Sequence, residues 1–594
     1  MSRVSTLRTP LCTALQSVLA SRGIKRADFR TLQAAAPVAG AIVVCDQGRH
    51  ASTSAGLGAL GLAAGIVALG VPAAVADSQT QERTRSWEEL ETPEERLMVL
   101  QSFWKWLEEG GANLHGIEIR GAQDPDVGLA MHAAKDAGPG KFRWWAPWTY
   151  WPSRRPAMLA QFPMTQMLTH VSAAQHPHKP LATLFEFMLQ NGTIDESLAL
   201  MLFLMVERAR GSQSHVAPYM AALPATFASP LFYTAEELTL LRGTTLADAT
   251  SAKQQQLVDV FQRIQPSAQT LWKAAQLAGE PSLTDFAWAY SIYWSRAKLV
   301  PDVNAAHPQV PESNTLDADQ ELPQQMIVAL VPGLEFCNHS PRPNATWALE
   351  ETQSADKPPE YVSLMSAPSV GLRKHQEVLI DYGDKSNEEL LFHYGFVVED
   401  NPQDALMMHY ELPAEDKMDD AMKARVHILR SHMIPLQHFL VRADLSEYVK
   451  AAHADRAADG PFPAEALRAL QVLVMTDEEA VAVRAAMDAS IARKKQAEQH
   501  ADDDGNHDSA ASIKLPDSLG SLRTRALAKM VEHLEAKVAE LELCCGSAEF
   551  DRVLLQEKLP RNARNCIVYR LGQKDIARGY LDAAKELVTK DASN

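Results

Sequence analysis

Two short clusters of polar and aromatic residues stand out in the second half of the chain. The first lies in the sequence PGLEFCNHSPRPNATW and contains Glu335, Asn338, His339 and Ser340. The second lies in LIDYGDKSNEELLFHYGF and contains Tyr382, Asn387, Tyr394 and Phe396. Carboxyl, imidazole and phenol groups are those that chemistry at a functional site uses, and composition alone does not explain why they gather here.

Taken singly, each residue has a simple structural explanation. The sequence NHS after a strand is typical of a turn, which makes His339 a structural residue. Tyr382 and Tyr394 are typical of packed aromatic side chains. A metal site would need partners at ligand spacing, and the sequence offers none. The case for function therefore depends on the two clusters occurring together.

At this spacing the two clusters resemble the active-site motifs of the SET-domain protein methyltransferases. More narrowly, they resemble the branch of the Rubisco large-subunit lysine methyltransferase, which modifies non-histone proteins. The helical insertion of that branch resembles SHVAPYMAALPATFASPLFYTAEELTLLRGT, its closing helix FAWAYSIYWSRA, and its helical substrate-binding domain FDRVLLQEKLPRNARNCIVYRLGQKDI. The cysteine clusters that flank many histone methyltransferase domains are absent, which fits this branch.

The resemblance implies an α+β fold. Residues 87–400 are expected to form a SET-domain β-fold with a knot-like active site, in which a helical insertion occupies about 165–300. An all-α substrate-binding domain is expected at 413–590, with a disordered acidic linker at 496–516. In the SET fold the Asn-His-Ser segment is threaded near the tyrosine segment.

The resemblance also implies S-adenosylmethionine as cofactor and a protein as substrate. By that resemblance, Asn338 and His339 bind the cofactor largely through their backbones, and Arg296 contacts it. The other implied contacts are Glu335 and Phe336 on the same segment, Tyr394, Gly395 and Phe396 in the closing YGF sequence, and Asp126 and Val127. The last two belong to DPDVGL, where Pro125 stands in place of the family's glutamate.

Tyr382 is the predicted catalytic residue. Methyl transfer to lysine needs a neutral amine, although the pKa of a free lysine is about 10.4. An apolar pore beside a positive sulfonium lowers that pKa by desolvation and by like charge. The tyrosine hydroxyl can accept the amine hydrogen and orient the lone pair toward the methyl group.

The leading functional hypothesis is therefore a protein-lysine N-methyltransferase that acts on a non-histone protein. Histidine methylation, which the same branch includes, is an alternative, and Leu334 and Lys298 near the site do not decide between them. A second alternative is a non-catalytic SET-fold module that only binds a partner protein. The presence of Tyr382, Asn338 and His339 together argues against lost activity.

The elements around these clusters follow from local patterns. The sequence predicts a helix after Thr92, which can cap it, with Pro93 in the first turn, Glu95 three residues after the cap, and Gly110 at its end. Residues 181–300 are predicted to be mostly helical, 324–400 rich in short strands, and the chain from about 413 helical again. The aromatic and basic sequence KFRWWAPWTYWPSRRP is expected to be a surface loop.

Composition limits the class of protein. The 594 residues are 46% hydrophobic and 22% charged, which excludes a disordered chain and a polytopic membrane protein. The net charge of −17 argues against nucleic acid as a partner. Six cysteines without metal-ligand spacing are expected to be free thiols, with no metal bound. A monomer is expected.

The N-terminal region has a different composition. Residues 1–54 hold seven basic and two acidic residues, which is typical of an organellar transit peptide. The uncharged segment 56–76 is long enough to cross a bilayer, so membrane association is expected only through it. Its GxGxxG pattern lacks a preceding strand and does not predict a dinucleotide site. Residues 1–86 are therefore expected to target the protein to the chloroplast, with the mitochondrion and a retained membrane anchor as alternatives.

Overall fold

The computed structural model describes residues 84–121, 128–137, 156–301, 326–349, 360–367, 370–451, 460–498 and 520–593. The helices are α1 (Pro93–Glu109), α2 (His170–Ala174), α3 (Lys179–Gln190), α4 (Glu196–Ala209), α5 (Ala217–Ala222), α6 (Ala235–Thr239), α7 (Thr245–Ala274), α8 (Leu283–Arg296), α9 (Asn387–Glu389), α10 (Asp420–Ser431), α11 (Arg442–Lys450), α12 (Ala464–Leu473), α13 (Asp477–Glu498), α14 (Gly520–Cys545), α15 (Ala548–Leu554) and α16 (Arg561–Ser593). The strands are β1 (Ile117–Gly121), β2 (Leu129–Ala133), β3 (Met158–Pro163), β4 (Lys298–Pro301), β5 (Met326–Ala329), β6 (Asn338–His339), β7 (Ala345–Leu349), β8 (Tyr361–Ser366), β9 (Leu379–Ile380), β10 (Ala405–His409) and β11 (Gln437–Val441).

Helix α1 begins where its sequence predicts. The Thr92 side chain accepts a hydrogen bond from the Glu95 backbone, and the Glu95 side chain accepts one from the Thr92 backbone. Pro93 occupies the first turn, where a missing N–H costs nothing, and Gly110 caps the end. Phe103 and Leu107 on its buried face anchor the helix to the core. The predicted helix is confirmed.

The strands form several small sheets. Strands β3, β8 and β7 make an antiparallel three-stranded sheet, and the pairs β1–β2, β4–β5 and β10–β11 are also antiparallel. The pair β6–β9 is parallel, with Asn338 beside Leu379 and His339 beside Ile380. This short parallel pair brings the two motif-bearing segments side by side.

Helices α2 to α8 lie between β3 and β4 and pack on the sheets through one continuous apolar core. Helix α4 is buried on nearly all sides, because its central residues 199–206 are all apolar. Helix α8 ends at Arg296 and leads directly into β4. The helices of this insertion therefore deliver Arg296 and Lys298 to the same place as the two clusters.

The C-terminal region has its own apolar core, built mainly from α10, α12, α14 and α16. A buried ion network joins α15 to α16: Lys574 Nζ donates to Asp551 Oδ2 at 2.6 Å, and Arg570 Nε donates to Asp551 Oδ1 at 3.0 Å. One strand, β11, interrupts the predicted run of helices, because its alternating burial suits pairing with β10. Helix α13 runs through Glu498, so the first residues of the predicted linker, 496–498, are helical.

Several predictions lie outside the described residues. These are the targeting region up to residue 83, the aromatic and basic sequence between 141 and 155, and the linker from 499 onward. Within the described ranges, no helix combines the length and the apolarity needed to cross a membrane. The four described cysteines, Cys337, Cys544, Cys545 and Cys566, are free thiols, as their spacing predicts.

Candidate active site

The first cluster sits on a tight turn that precedes β6. Gly333 has φ of +100°, and a Cβ at this position would lie 2.6 Å from a ring carbon of Phe162. Only glycine suits this backbone without strain. The turn of 3₁₀-helix that follows, Leu334–Phe336, buries all three of its residues and leads into Asn338 and His339.

Tyr382 is tied to this turn by its backbone and by its side chain. Its hydroxyl donates a hydrogen bond to the Cys337 carbonyl at 2.8 Å, which leaves the oxygen lone pairs available to accept. Its backbone N–H donates to His339 Nδ1 at 3.1 Å. Neutral His339 therefore carries its proton on Nε2. Burial raises the pKa of the Tyr382 hydroxyl, so the phenol stays protonated.

Aromatic rings surround the Tyr382 side chain. The Tyr394 ring centroid lies 4.9 Å away, that of His339 5.2 Å, and that of Phe396 6.5 Å. Tyr394 ends a five-residue π-helix, Leu390–Tyr394, and Gly395 follows it in a left-handed conformation. Turns of π-helix occur often at functional sites. This arrangement forms an aromatic wall that we define as His339, Tyr394 and Phe396.

Buried polar atoms lie behind the turn without hydrogen-bond partners among the described residues. Both carboxyl oxygens of Glu335, the Tyr219 hydroxyl and Arg296 Nε are in this state. Arg296 Nη1 donates to the Glu335 carbonyl at 3.3 Å, and its guanidinium lies 5.8 Å from the Phe336 ring centroid. Burial raises the pKa of the Glu335 carboxyl to about 7, although Arg296, Tyr219 and Lys298 oppose the shift. Groups left unpaired in this way are suited to a polar ligand.

Lys298 extends its side chain toward the same place from β4. Its Nζ lies 5.6 Å from the Tyr382 ring centroid and 5.8 Å from that of Trp347. Burial lowers the pKa of this amine, partly offset by the charges of Cys337 and Glu335. No ion pair forms between Lys298 and the described residues around it.

These groups line one cavity of about 260 Å³. Its lining residues are Ser295, Arg296, Ala297, Lys298, Leu299, Glu335, Cys337, Trp347, Asp381, Tyr382 and Tyr394. Aromatic faces attract cations, and a fixed phenol oxygen can orient an N–H group. The cavity can therefore hold a cationic ligand beside a nitrogen acceptor.

The structure brings most of the predicted site residues together. Arg296, Glu335, Tyr382 and Tyr394 line the cavity. The other predicted residues that the structure describes lie immediately behind or beside those four: Phe336, Asn338, His339, Gly395 and Phe396. Asp126 and Val127 lie outside the described residues.

Three members of the two clusters have structural roles. Asn338 Nδ2 donates to Glu377 Oε1 at 2.6 Å, which ties this side chain to a residue that precedes β9. Ser340 Oγ accepts from the Arg342 backbone, as a turn residue does. Buried Asn387 exchanges two hydrogen bonds with the Val398 backbone, both at 2.9 Å, and so closes the loop that holds Tyr394.

Sequence reasoning missed two residues of the site. Tyr219 is on α5, in a stretch that the sequence assigns only to the helical insertion, and nothing local marks its hydroxyl as unpaired. Trp347 is on β7, where an aromatic residue is ordinary. Both reach the site through tertiary packing alone.

A second group of titratable side chains lies in the insertion, away from this cavity. Single ligand atoms of His176, Glu207 and His215 lie within 4.8 Å of one another. His176 Nδ1 accepts the His178 backbone N–H, so neutral His176 has its proton on Nε2, 2.9 Å from Glu207. Arg210 also contacts that carboxylate, at 3.4 Å. The ring nitrogen therefore has no free lone pair for a metal, and a cation already stands there.

The burial of Glu207 is compensated by these contacts. Desolvation would raise its pKa, but hydrogen bonds from His176, His215 and Ser214 outweigh it and lower the pKa to about 2. A buried carboxylate satisfied by this many donors is typical of a structural network.

No family model matches the chain. An actin-histidine N-methyltransferase of Drosophila melanogaster is 26% identical over 329 residues, which are 52% of this chain and 51% of that protein. The human protein of the same name is 24% identical over 388 residues, which cover 63% of this chain and 52% of that protein. The chain thus spans about half the length of the curated relatives it matches.

Two solved structures match most of the chain. The SET domain of LSMT bound to lysine and AdoHcy has a TM-score of 0.56 and 18% identity, with 84% of this chain and 92% of that one covered. Rubisco LSMT bound to AdoMet has a TM-score of 0.56 and 16% identity, with 83% and 93% covered. At such identities the likeness concerns the fold.

Proposed function

We propose that this chain, which has the SET-domain fold of Rubisco LSMT followed by a helical C-terminal domain, is an S-adenosylmethionine-dependent protein N-methyltransferase whose acceptor is histidine. The observation that carries the proposal is the position of the Tyr382 hydroxyl. The Cys337 carbonyl fixes it in a cavity walled by aromatic rings. A phenol held in this way can orient an acceptor nitrogen without transferring a proton.

The residues around the cavity fit the cofactor. A sulfonium cation suits the rings that line the cavity, those of Trp347, Tyr382 and Tyr394, because ring faces attract positive charge. The unpaired oxygens of Glu335 and the unpaired Nε of Arg296 offer an acceptor and a donor to the polar groups of an amino acid. The AdoMet and AdoHcy bound in the two LSMT structures support this assignment.

When bound, S-adenosylmethionine supplies the methyl group to the acceptor nitrogen, its carbon–sulfur bond breaks with the electron pair going to sulfur, and AdoHcy remains. The chain contributes positioning. Tyr382 accepts a hydrogen bond from an N–H group of the acceptor and aims the attacking lone pair. The proton released from the methylated nitrogen passes to solvent.

The lysine acceptor expected from sequence receives less support than the histidine alternative. The curated relatives are named for histidine methylation. In addition, a lysine acceptor with a pKa of about 10.4 has to lose its proton before it can attack. A histidine with a pKa of about 6.5 is mostly neutral at pH 7 and has a lone pair ready for attack.

Binding is the first test of this proposal. Calorimetric titration of the full chain with S-adenosylmethionine should show one site. Tyr382→Phe should keep that affinity, because the proposed role of the lost hydroxyl is to contact the acceptor, while the ring that lines the cavity remains. A wild-type chain that binds no S-adenosylmethionine contradicts the proposal.

A paired-acceptor assay tests the choice of nitrogen. Purified actin and a variant with lysine in place of the methylated histidine are offered to the wild-type chain, with Tyr382→Phe as the inactive control. Wild type should methylate the histidine form about tenfold faster or more at pH 7, because the imidazole is mostly neutral there and the lysine amine is not. Equal rates on the two forms, or faster transfer to lysine, would contradict a histidine acceptor.

A further inference from the structure

The segment that carries two of the three residues of the aromatic wall, Tyr394 and Phe396, is held from two sides. It runs from Glu388 to Glu399 and includes the π-helix, Gly395 and Phe396. The helical insertion contacts it on one side and α16 of the C-terminal domain on the other. A small apolar cluster from all three regions, Tyr233, Leu238, Leu241, Leu246, Leu391, Cys566 and Tyr569, fills the space between them.

On the side of the insertion, the contacts are close and are made by the Ala228 backbone and the Ser229 side chain. Gly395 has φ of +75°, and a Cβ there would lie 2.7 Å from the carbonyl carbon of Ala228. Ser229 Oγ donates to the Phe392 carbonyl at 2.6 Å. The segment therefore cannot move toward the insertion.

On the side of the C-terminal domain, side chains of α16 make the contacts. Asn565 Nδ2 donates to the Gly395 carbonyl at 3.0 Å. Tyr569 donates its hydroxyl to Glu388 at 2.6 Å, and Arg564 pairs with Glu399 at 2.5 Å. The Gly395 contact is the one nearest to the wall, because Tyr394 and Phe396 flank this carbonyl.

The Gly395 carbonyl oxygen is buried and needs the hydrogen bond from Asn565. Gly395 is buried, and among the described residues Asn565 supplies the side-chain donor to its oxygen. A buried carbonyl without a donor is costly, so the segment would move to find water if the donor were removed. Such a move changes the orientation of the Tyr394 and Phe396 rings, which flank Gly395.

We propose that Asn565 is a positioning residue of the active site, through which the C-terminal domain fixes the aromatic wall of the cofactor cavity. The C-terminal domain then has a role in cofactor binding in addition to the substrate binding that resemblance implies for it. The inference rests on the proposed function to the extent that S-adenosylmethionine is the ligand measured. Its structural half, the fixing of residues 390–398, does not depend on that ligand.

The test compares Asn565→Ala with Asn562→Ala in the full chain. Asn562 is a matched control, because it lies three residues before Asn565 on α16 but donates to Glu237 of the insertion at 2.8 Å, away from Gly395. If the bound arrangement of the wall falls to about a tenth of the population, the Kd for S-adenosylmethionine rises about tenfold in Asn565→Ala. In Asn562→Ala the Kd for S-adenosylmethionine should stay within about twofold of the wild-type value. The comparison is made between variants that lose a similar amount of thermal stability.

Hydrogen exchange gives the second readout. Without any ligand, amides 390–398 should exchange about tenfold faster in Asn565→Ala than in Asn562→Ala. Asn565→Asp keeps the shape of the side chain but places an oxygen against the Gly395 carbonyl. Its amides 390–398 should therefore exchange at least as fast as those of the alanine variant.

The outcomes separate the two proposals. Faster exchange at 390–398 together with weaker cofactor binding supports the positioning role. Equal exchange and equal affinity in the Asn565 and Asn562 variants overturns it. If the wild-type chain binds no S-adenosylmethionine, the proposed function fails, and the exchange comparison alone decides the role of Asn565.

Discussion

Replacing Glu335 by glutamine should change how the stability of the SET region depends on pH. Glu335 is 8% exposed, and its polar neighbours Tyr219, Arg296 and Lys298 oppose the rise in its pKa without cancelling it. Burial raises its pKa from 4.5 to about 7. Because the folded protein holds the proton more tightly than the unfolded chain, the wild type loses stability as pH rises between these two values.

The magnitude follows from the size of the shift. At about 1.4 kcal/mol per pKa unit, a shift from 4.5 to about 7 corresponds to about 3 kcal/mol. Glutamine has nearly the same shape and does not ionise. Glu335→Gln should therefore match the wild type near pH 4 and be more stable by up to about 3 kcal/mol near pH 8.

Urea unfolding followed by tryptophan fluorescence measures this difference. All 11 tryptophans lie at or before Trp347, so their fluorescence reports on the N-terminal part of the chain and not on the C-terminal domain. Glu415→Gln, at an exposed carboxyl, controls for the loss of one charge. A stability difference that does not vary with pH, or a variant less stable than wild type at pH 8, would show that burial does not raise the pKa of Glu335.

Three further predictions follow from single contacts. Tyr382→Phe should slow methyl transfer about 100-fold or more while the Kd for S-adenosylmethionine stays nearly constant, and a loss of binding equal to the loss of rate would contradict the positioning role. Gly395→Ala should lower the free energy of unfolding by about 1–2 kcal/mol, because of its positive φ and the nearby Ala228 backbone, and an unchanged urea midpoint would argue against this conformation. Asp551→Ala should cost about 3–5 kcal/mol in the C-terminal domain, since two buried cations lose their partner, and circular dichroism at 222 nm that shows an unchanged melting temperature would exclude it.

The two clusters could be found from sequence because each is a local pattern. The parallel pairing of β6 with β9 places Asn338 and His339 of the first cluster beside the segment of the second cluster, as the resemblance to SET domains implies. Helix α1 was also predictable, because Thr92, Pro93 and Glu95 are start signals that act within one turn.

The electrostatics of the site could not be predicted in the same way. Glu335 looks like any other acidic residue in the sequence, and its raised pKa exists only because the surrounding fold excludes water from it. Tyr219 and Asn565 come from distant parts of the chain, and their roles depend on which backbone or side-chain atoms packing brings near them. Lys298 was visible beside the SRA sequence, but only the direction of β4 shows that its amine approaches Tyr382.

The most direct test of the proposed activity is to identify the methylated atom. The full chain is incubated with actin and S-adenosylmethionine that carries a heavy-isotope methyl group, and the labelled residue is located by mass spectrometry, with Tyr382→Phe as the control. We expect a heavy methyl group on a histidine ring nitrogen, present with wild type and nearly absent with the control. A label found on lysine alone, or none on any protein in a whole-cell extract although S-adenosylmethionine binds, would contradict it.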